Sequence, residues 1–221
     1  MNQNWKTGVE YTLYVCTDRR LMSSETLEES VEEAVIGGAS VIQLRDKEAS
    51  GRQLYETALA LRRITDRYQV PLIINDRVDI AIAAGAAGVH LGQTDLPAAA
   101  ARKLLGKERL IGVSTANPQE AAQAVRDGAD YLGVGAMFAT ATKTNTRPVT
   151  METLAAIRAA VDVPIVVIGG IGMENAAQFR ETGINGLAVV SAVVGQKKVR
   201  ESAAEIRRIF EGATDGKTGE A

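Results

Sequence analysis

A single cysteine, a single histidine and few aromatic residues restrict the chemistry open to this chain of 221 residues. The lone Cys16 excludes an intrachain disulfide and a metal site built from several cysteines. With one histidine, a serine triad would require His90 itself to reach the serine. Aromatic residues make up only 4%, so the core must come from Val, Ile, Leu and Ala. That mixture favours buried parallel strands wrapped by Ala-rich helices. Neither sign of charge dominates: the formal net charge is -2, far from the broad basic surface of a nucleic-acid binder. No apolar run is long enough to span a bilayer. Residues 1–10 are polar and lack an apolar secretory segment, so a soluble cytoplasmic protein is expected.

What is present is a regular alternation. Short, β-branched segments that are apolar on both parities predict strands at 12–16, 40–44, 72–75, 88–91, 110–113, 131–134, 165–168 and 186–190. Between them the apolar residues take helical spacing. Leu27, Val31, Ala34 and Val35 form one stripe; Leu54, Ala58, Leu61, Ile64 and Tyr68 form a second; Val199, Ala203, Ile206 and Phe210 form a third. Strands two, four, six and eight follow Gly38-Ala39, Gly85-Ala86, Gly128-Ala129 and Gly183-Ile184, where glycine can take the left-handed helix cap. Strands three and seven follow Val70-Pro71 and Val163-Pro164. The chain thus reads as four βαβα quarters of one α/β domain, a single (β/α)8 TIM barrel over residues 1–211. An open doubly wound sheet is the alternative, but strand one leads into Thr17-Asp18-Arg19-Arg20 instead of a Gly-rich dinucleotide turn. Residues 212–221 are polar and Gly-rich and predict a disordered tail.

Active sites of such barrels lie at the C-terminal strand ends, and there the polar residues collect. Asp76 and Asp95 follow strands three and four and can converge on one Mg2+, a hard ion that accepts carboxylate oxygens; alternatively Asp95, just before Leu96-Pro97, is a helix N-cap. Arg45, Lys47 and Lys143 are cations on the same rim and can clamp a diphosphate, unless they pair with Asp46 or Glu48 as surface charge. Gly169-Gly170 and Ser191, after strands seven and eight, suit a phosphate monoester, or are two tight turns. Ser114 reads as a substrate hydrogen-bonding group, His90 as a hydrogen-bonded supporting residue, and Cys16 as a buried inert thiol. Residues 140–146 are hydroxyl-rich and aperiodic, and suit a lid over the site or an ordinary long loop.

Those rim segments, taken in order, resemble the thiamine phosphate synthase family. The matching pieces are Gln43-Leu44-Arg45-Asp46-Lys47, Asn75-Asp76-Arg77, the run from His90 to Asp95 with its Gly92-Gln93, Gly112-Val113-Ser114, Thr140 to Lys143, Ile168 to Ile171, and Val190-Ser191. The resemblance runs from about Leu13 to about Phe210. It implies a transferase that joins an aminopyrimidine methyl diphosphate to a thiazole phosphate, or to its carboxylated form, by a dissociative route. It implies that Gln43, Arg45, Lys47 and Asn75 hold the pyrimidine diphosphate, with Ser114 and Lys143 touching the same substrate. It implies Mg2+ on Asp76 and Asp95, and a thiazole phosphate held by Thr140, Thr142, Gly170, Val190 and Ser191. Arg45, Lys47 and Lys143 would act on the departing diphosphate. By the same analogy the protein would be a homodimer with small-molecule substrates. Ala136 and Ala139 stand where the family often carries prolines. Two rivals remain: a thiazole tautomerase on the same barrel, which has no use for a diphosphate clamp, and a non-catalytic phosphate-ligand sensor, which has no use for the carboxylate pair.

Overall fold

The computed structural model describes residues 5, 8–139 and 147–212. Eight parallel strands close in sequence order: β1 (Leu13–Cys16), β2 (Val41–Leu44), β3 (Leu72–Asn75), β4 (Gly88–Leu91), β5 (Leu110–Thr115), β6 (Tyr131–Val134), β7 (Ile165–Ile168) and β8 (Gly186–Val189), with β8 pairing back to β1. The expected (β/α)8 barrel is therefore present. Helices α1 (Leu27–Ile36), α2 (Gly51–Arg67), α3 (Val78–Ala83), α4 (Ala98–Leu105), α5 (Pro118–Arg126), α6 (Met151–Ala160) and α7 (Val199–Glu211) fill all connections but one. Between β7 and β8 only a short 3-10 helix, Ala176–Phe179, covers the barrel. Among the described residues, no helix is long and apolar enough to cross a membrane.

Local chemistry sets the helix starts. Thr26, Ser50, Asn117 and Thr150 accept backbone N–H bonds as N-caps, and Ser50 and Gln53 form a reciprocal capping box. The ends follow the glycine pattern: Gly38, Gly85, Gly128 and Gly183 have φ of 100, 65, 95 and 73°. Where α2 meets Val70-Pro71 no glycine is available, and Gln69 takes the left-handed position at φ 56°. The α1 stripe is fully buried. The α2 stripe stops at Ile64; Tyr68 caps the helix at the surface, where its hydroxyl donates to Glu32 at 2.9 Å. Tyr68 thus lies just past the helix and outside the buried part of the expected stripe.

Two alternating sets of side chains make two apolar layers. Leu13, Val15, Ile42, Leu44, Ile74, Leu132 and Val167 face the helices. Tyr14, Cys16, Val41, Ile73, Leu110, Tyr131, Val166 and Ala188 fill the barrel interior. Strand register places Gln43 beside Cys16 and His90 beside Asn75 on the inward parity, at the upper end of that interior. Ser114 shares it two residues beyond Gly112, the partner of His90.

Candidate active site

The β1 and β2 ends are tied together first. Thr17 Oγ1 donates to the Arg45 carbonyl at 3.2 Å and accepts from the Arg45 N–H at 3.0 Å. The Arg45 guanidinium then meets Asp18 at 3.0 Å, with side-chain exposures of 17% and 5%. Asp18 was not among the expected site residues. Its only sequence signal was its position just past a strand end. Lys47 lies 3.4 Å from Asp76. Asp46 and Glu48 instead take Arg19 and Arg20, so Arg45 and Lys47 are not neutralised by the neighbours that the surface-charge reading required. A cleft of about 220 Å3 is lined by Lys47, Asn75, Asp76 and Arg77, among others. Arg77 turns away to chelate Asp79.

Asp76 is the strained residue of the rim. Its φ is 63°, in the left-handed region that non-glycine side chains rarely occupy, and its N–H donates to the His90 carbonyl at 2.9 Å. That conformation directs Asp76 against Asp95. Burial pushes the Asp76 carboxyl above its usual range, the hydrogen bond and negative charge of Asp95 push it further, and Lys47 partly opposes them. Asp95 does not cap α4, whose N-cap is Pro97 without a side-chain bond. It instead accepts the Gly92 N–H at 2.7 Å, and a Cβ at Gly92 would lie only 2.9 Å from its Oδ2. The two carboxylates are held together in a half-buried place, and their oxygens form a hard donor set. Among the described residues there is no group of three or more His, Cys, Asp or Glu that could hold a metal. A two-carboxylate site fits an ion such as Mg2+ that keeps waters or takes substrate phosphates.

His90 does reach Ser114, its Nε2 lying 3.0 Å from Oγ. Its Nδ1 faces the Tyr131 hydroxyl at 3.1 Å, and Gln93 Nε2 donates to the Ser114 carbonyl at 2.7 Å. Burial holds the Tyr131 phenol well above its ordinary pKa, so the group behind the imidazole is a neutral hydroxyl and not the carboxylate of a triad. Cys16 is buried, and that burial pushes its thiol up to about 12, as expected for an inert side chain.

The far side of the rim is built from backbone. Gly169 and Gly170 have φ of 102 and 63°, and a Cβ on Gly170 would lie 2.7 Å from the Ala139 carbonyl and 2.8 Å from Phe138 Cβ. Buried Asn175 braces this turn, donating to the Gly170 carbonyl at 2.9 Å and accepting the Gly172 N–H at 3.0 Å. Ala136 is pinned through both backbone groups, to the Arg147 carbonyl and the Val149 N–H, at 3.0 and 2.9 Å. After β8, Val190 accepts from the amides of Val193 and Val194, and Ser191 is exposed. The expected roles of Thr140, Thr142 and Lys143, and the tail at 213–221, lie outside the described residues.

A closed eight-stranded barrel with charged and hydroxylic groups collected at the C-terminal strand ends defines the class: a (β/α)8-barrel enzyme working on that rim. Residues 13–193 match the family model described as thiamine monophosphate synthase. The thiamine-phosphate synthase of Ruminiclostridium cellulolyticum is 53% identical over 205 residues, 93% of this chain and 98% of that protein. That of Clostridium beijerinckii is 50% identical over the same coverage. The solved thiamine phosphate pyrophosphorylase from Pyrococcus furiosus superposes with a TM-score of 0.85 at 42% identity, covering 92% of this chain and 97% of that one. The chain belongs to the thiamine monophosphate synthase family, whose members are transferases.

Proposed function

We propose that the protein condenses 4-amino-2-methyl-5-(diphosphooxymethyl)pyrimidine with 4-methyl-5-(2-phosphooxyethyl)thiazole, giving thiamine phosphate and diphosphate. The membership in a family of thiamine-phosphate synthases carries the reaction. The observation that carries the mechanism is the contact series Lys47, Asp76, Asp95, held by the left-handed backbone at Asp76. Asp76 and Asp95 would hold Mg2+, which when bound supplies positive charge to the leaving diphosphate. Arg45, aimed by Asp18, and Lys47 add fixed cations beside it. The carbon–oxygen bond breaks with its electron pair on diphosphate, and the pyrimidine amino group donates into the methylene cation left behind. The thiazole nitrogen gives its lone pair to that carbon, and the positive charge ends on the thiazolium ring. No protein nucleophile takes part. Gln43 and Asn75 would orient the pyrimidine from the inward parity of β2 and β3, and Ser114 would meet the diphosphate end of the same substrate from β5. Gly170, Val190 and Ser191 would grip the thiazole phosphate, remote from the reacting nitrogen. The assignments of Thr140, Thr142 and Lys143 rest on the family resemblance. A cytoplasmic homodimer is the setting this reading adopts.

The test is direct. Purified protein with both substrates and Mg2+ should release diphosphate and thiamine phosphate in equal amounts, and neither without the thiazole phosphate acceptor beyond slow hydrolysis. Diphosphate release with no thiamine phosphate would contradict the proposal.

A further inference from the structure

The barrel interior holds a continuous polar chain whose middle members, Tyr14, Tyr131 and His90, have no part in the reaction above. Gln43 Nε2 donates to the Tyr14 hydroxyl at 2.7 Å. The Tyr14 and Tyr131 hydroxyls are 2.8 Å apart, Tyr131 meets His90 Nδ1 at 3.1 Å, and His90 Nε2 meets Ser114 Oγ at 3.0 Å. The chain crosses the interior from β2 through β1 and β6 to β4 and β5. Space for it is made by glycine: a Cβ at Gly112 would collide with the Tyr131 ring and with His90 Nδ1, and one at Gly133 would lie 2.9 Å from His90 Cε1. Tyr14 and Tyr131 are 1% and 0% exposed, and burial keeps both phenols well above their ordinary pKa, so each carries one proton to give and one oxygen to receive with.

One donor per phenol selects one direction for the chain. Gln43 N–H donates to Tyr14, and the arrangement that gives each buried phenol proton an acceptor within this chain has Tyr14 donating to Tyr131 and Tyr131 to His90 Nδ1. The imidazole proton then sits on Nε2 and points at Ser114 Oγ, which turns the serine proton toward the mouth. At the other end the Gln43 amide has its nitrogen committed inward, so its carbonyl oxygen faces the mouth. We propose that Tyr14, Tyr131 and His90 are positioning residues that fix this polarity, presenting an acceptor at Gln43 and a donor at Ser114. The inference rests on the reading that those two residues touch the pyrimidine diphosphate. Bond breaking there creates a cation on the pyrimidine and an anion on the leaving group. An acceptor beside the first and a donor beside the second both strengthen as charge separates, which lowers the barrier more than it tightens binding. The reversed chain would set an amide N–H2 and a hydroxyl oxygen in those places and oppose both charges.

The single histidine makes the polarity visible. In protein labelled with 15N-histidine, a long-range 1H–15N spectrum near pH 8, above the ordinary imidazole range, should show one neutral tautomer with the proton on Nε2. Tyr131→Phe removes the donor to Nδ1 and should bring the other tautomer into the spectrum. Tyr14→Phe should leave the His90 spectrum as in wild type, because Tyr131 can still donate to it. Both variants should slow single-turnover bond cleavage about tenfold, the scale of one lost neutral hydrogen bond, with pyrimidine diphosphate affinity held within about twofold. A proton on Nδ1 in the wild type would overturn the proposed direction. So would a Tyr131→Phe protein, folded by circular dichroism, whose tautomer and cleavage rate both match wild type. Loss of affinity in place of rate would assign the chain to folding of the pocket and refute the positioning role. The tautomer is read without substrate, so a wild type lacking synthase activity would overturn the functional reading separately.

Discussion

Replacing Asp18 with asparagine tests how Arg45 is aimed. Asp18 Oδ2 lies 3.0 Å from Arg45 NH1, and its Oδ1 accepts the Arg20 N–H at 3.0 Å. Asparagine keeps the shape and can keep the Arg20 bond, but it turns a charge-assisted bond into a neutral one. Charge-assisted bonds contribute about 1.5–3 kcal/mol and neutral ones about 1 kcal/mol, so the expected destabilisation is about 1–2 kcal/mol. Removal of one partner of a fully buried ion pair costs about 3–5 kcal/mol. Arg45 retains 17% exposure and can recruit water, so Asp18→Ala should fall near the lower end of that range. Urea unfolding gives the stability term. Titration of pyrimidine diphosphate gives the functional one, and a freed Arg45 should weaken binding up to about tenfold, equivalent to about 1.4 kcal/mol. Stability and affinity in Asp18→Asn both within about 0.5 kcal/mol of wild type, the ordinary scatter of neutral surface changes, would refute the idea that Asp18 holds Arg45 in place.

Gly170→Val should weaken thiazole phosphate binding about tenfold or more, since the left-handed backbone alone adds about 1–2 kcal/mol of strain and the new Cβ displaces Phe138 and Ala139. Separate titrations check this, and equal loss of both substrates would point to general damage. Gln69→Gly should raise stability by about 0.5–1 kcal/mol in urea unfolding, because glycine accepts φ 56° without the steric cost glutamine bears. Glu120→Gln tests an ion pair at the end of the 140–146 segment: the Arg147 hydrogen bonds hold the Glu120 carboxyl below its usual range. A depressed carboxylate contributes stability that is present above the unfolded glutamate pKa and lost as pH falls through the folded one. With Arg147 57% exposed, screening limits the gap between wild type and variant to about 0.5–1 kcal/mol at pH 7, closing at a pH low enough to protonate the folded carboxyl. An equal gap at both pH values would refute it.

The strands were legible because each is short, β-branched and apolar on both parities, and because a glycine or a Val-Pro pair announces most of them. The observed ends differ from the expected ones by a residue or two, as at Thr12 and Ser40, which fall outside, and at Ser114 and Thr115, which fall inside β5. The lack of an α-helix between β7 and β8 was not legible. The segment between β7 and β8 has ordinary helix formers, yet it closes with a 3-10 turn stitched by Asn175. Rim residues were found because position after a strand is a linear property. Asp18 has that position too, but its role depends on Arg45 from the neighbouring strand, and Tyr14, Tyr131 and Asn175 lack even the position. Strands that are apolar on both faces do not show which parity points inward, so two tyrosines with hydrogen-bonding hydroxyls look the same as plain core. The contact of His90 with Ser114 depends on that parity and on the adjacency of β4 and β5, neither of which one strand's sequence contains.

The central claim is that Asp76 and Asp95 form the divalent-cation site on which diphosphate departure depends. Diphosphate release and thiamine phosphate formation should be measured together, as a function of free Mg2+, for wild type and Asp76→Asn. The account predicts wild-type turnover that vanishes in excess chelator and returns with Mg2+. For Asp76→Asn it predicts turnover reduced by about a hundredfold and partly restored by raised Mg2+, since the exchange removes one hard anionic ligand and leaves the shape intact. Wild-type turnover that continues unchanged in excess chelator, or an Asp76→Asn protein with the Mg2+ dependence of the wild type, would contradict it.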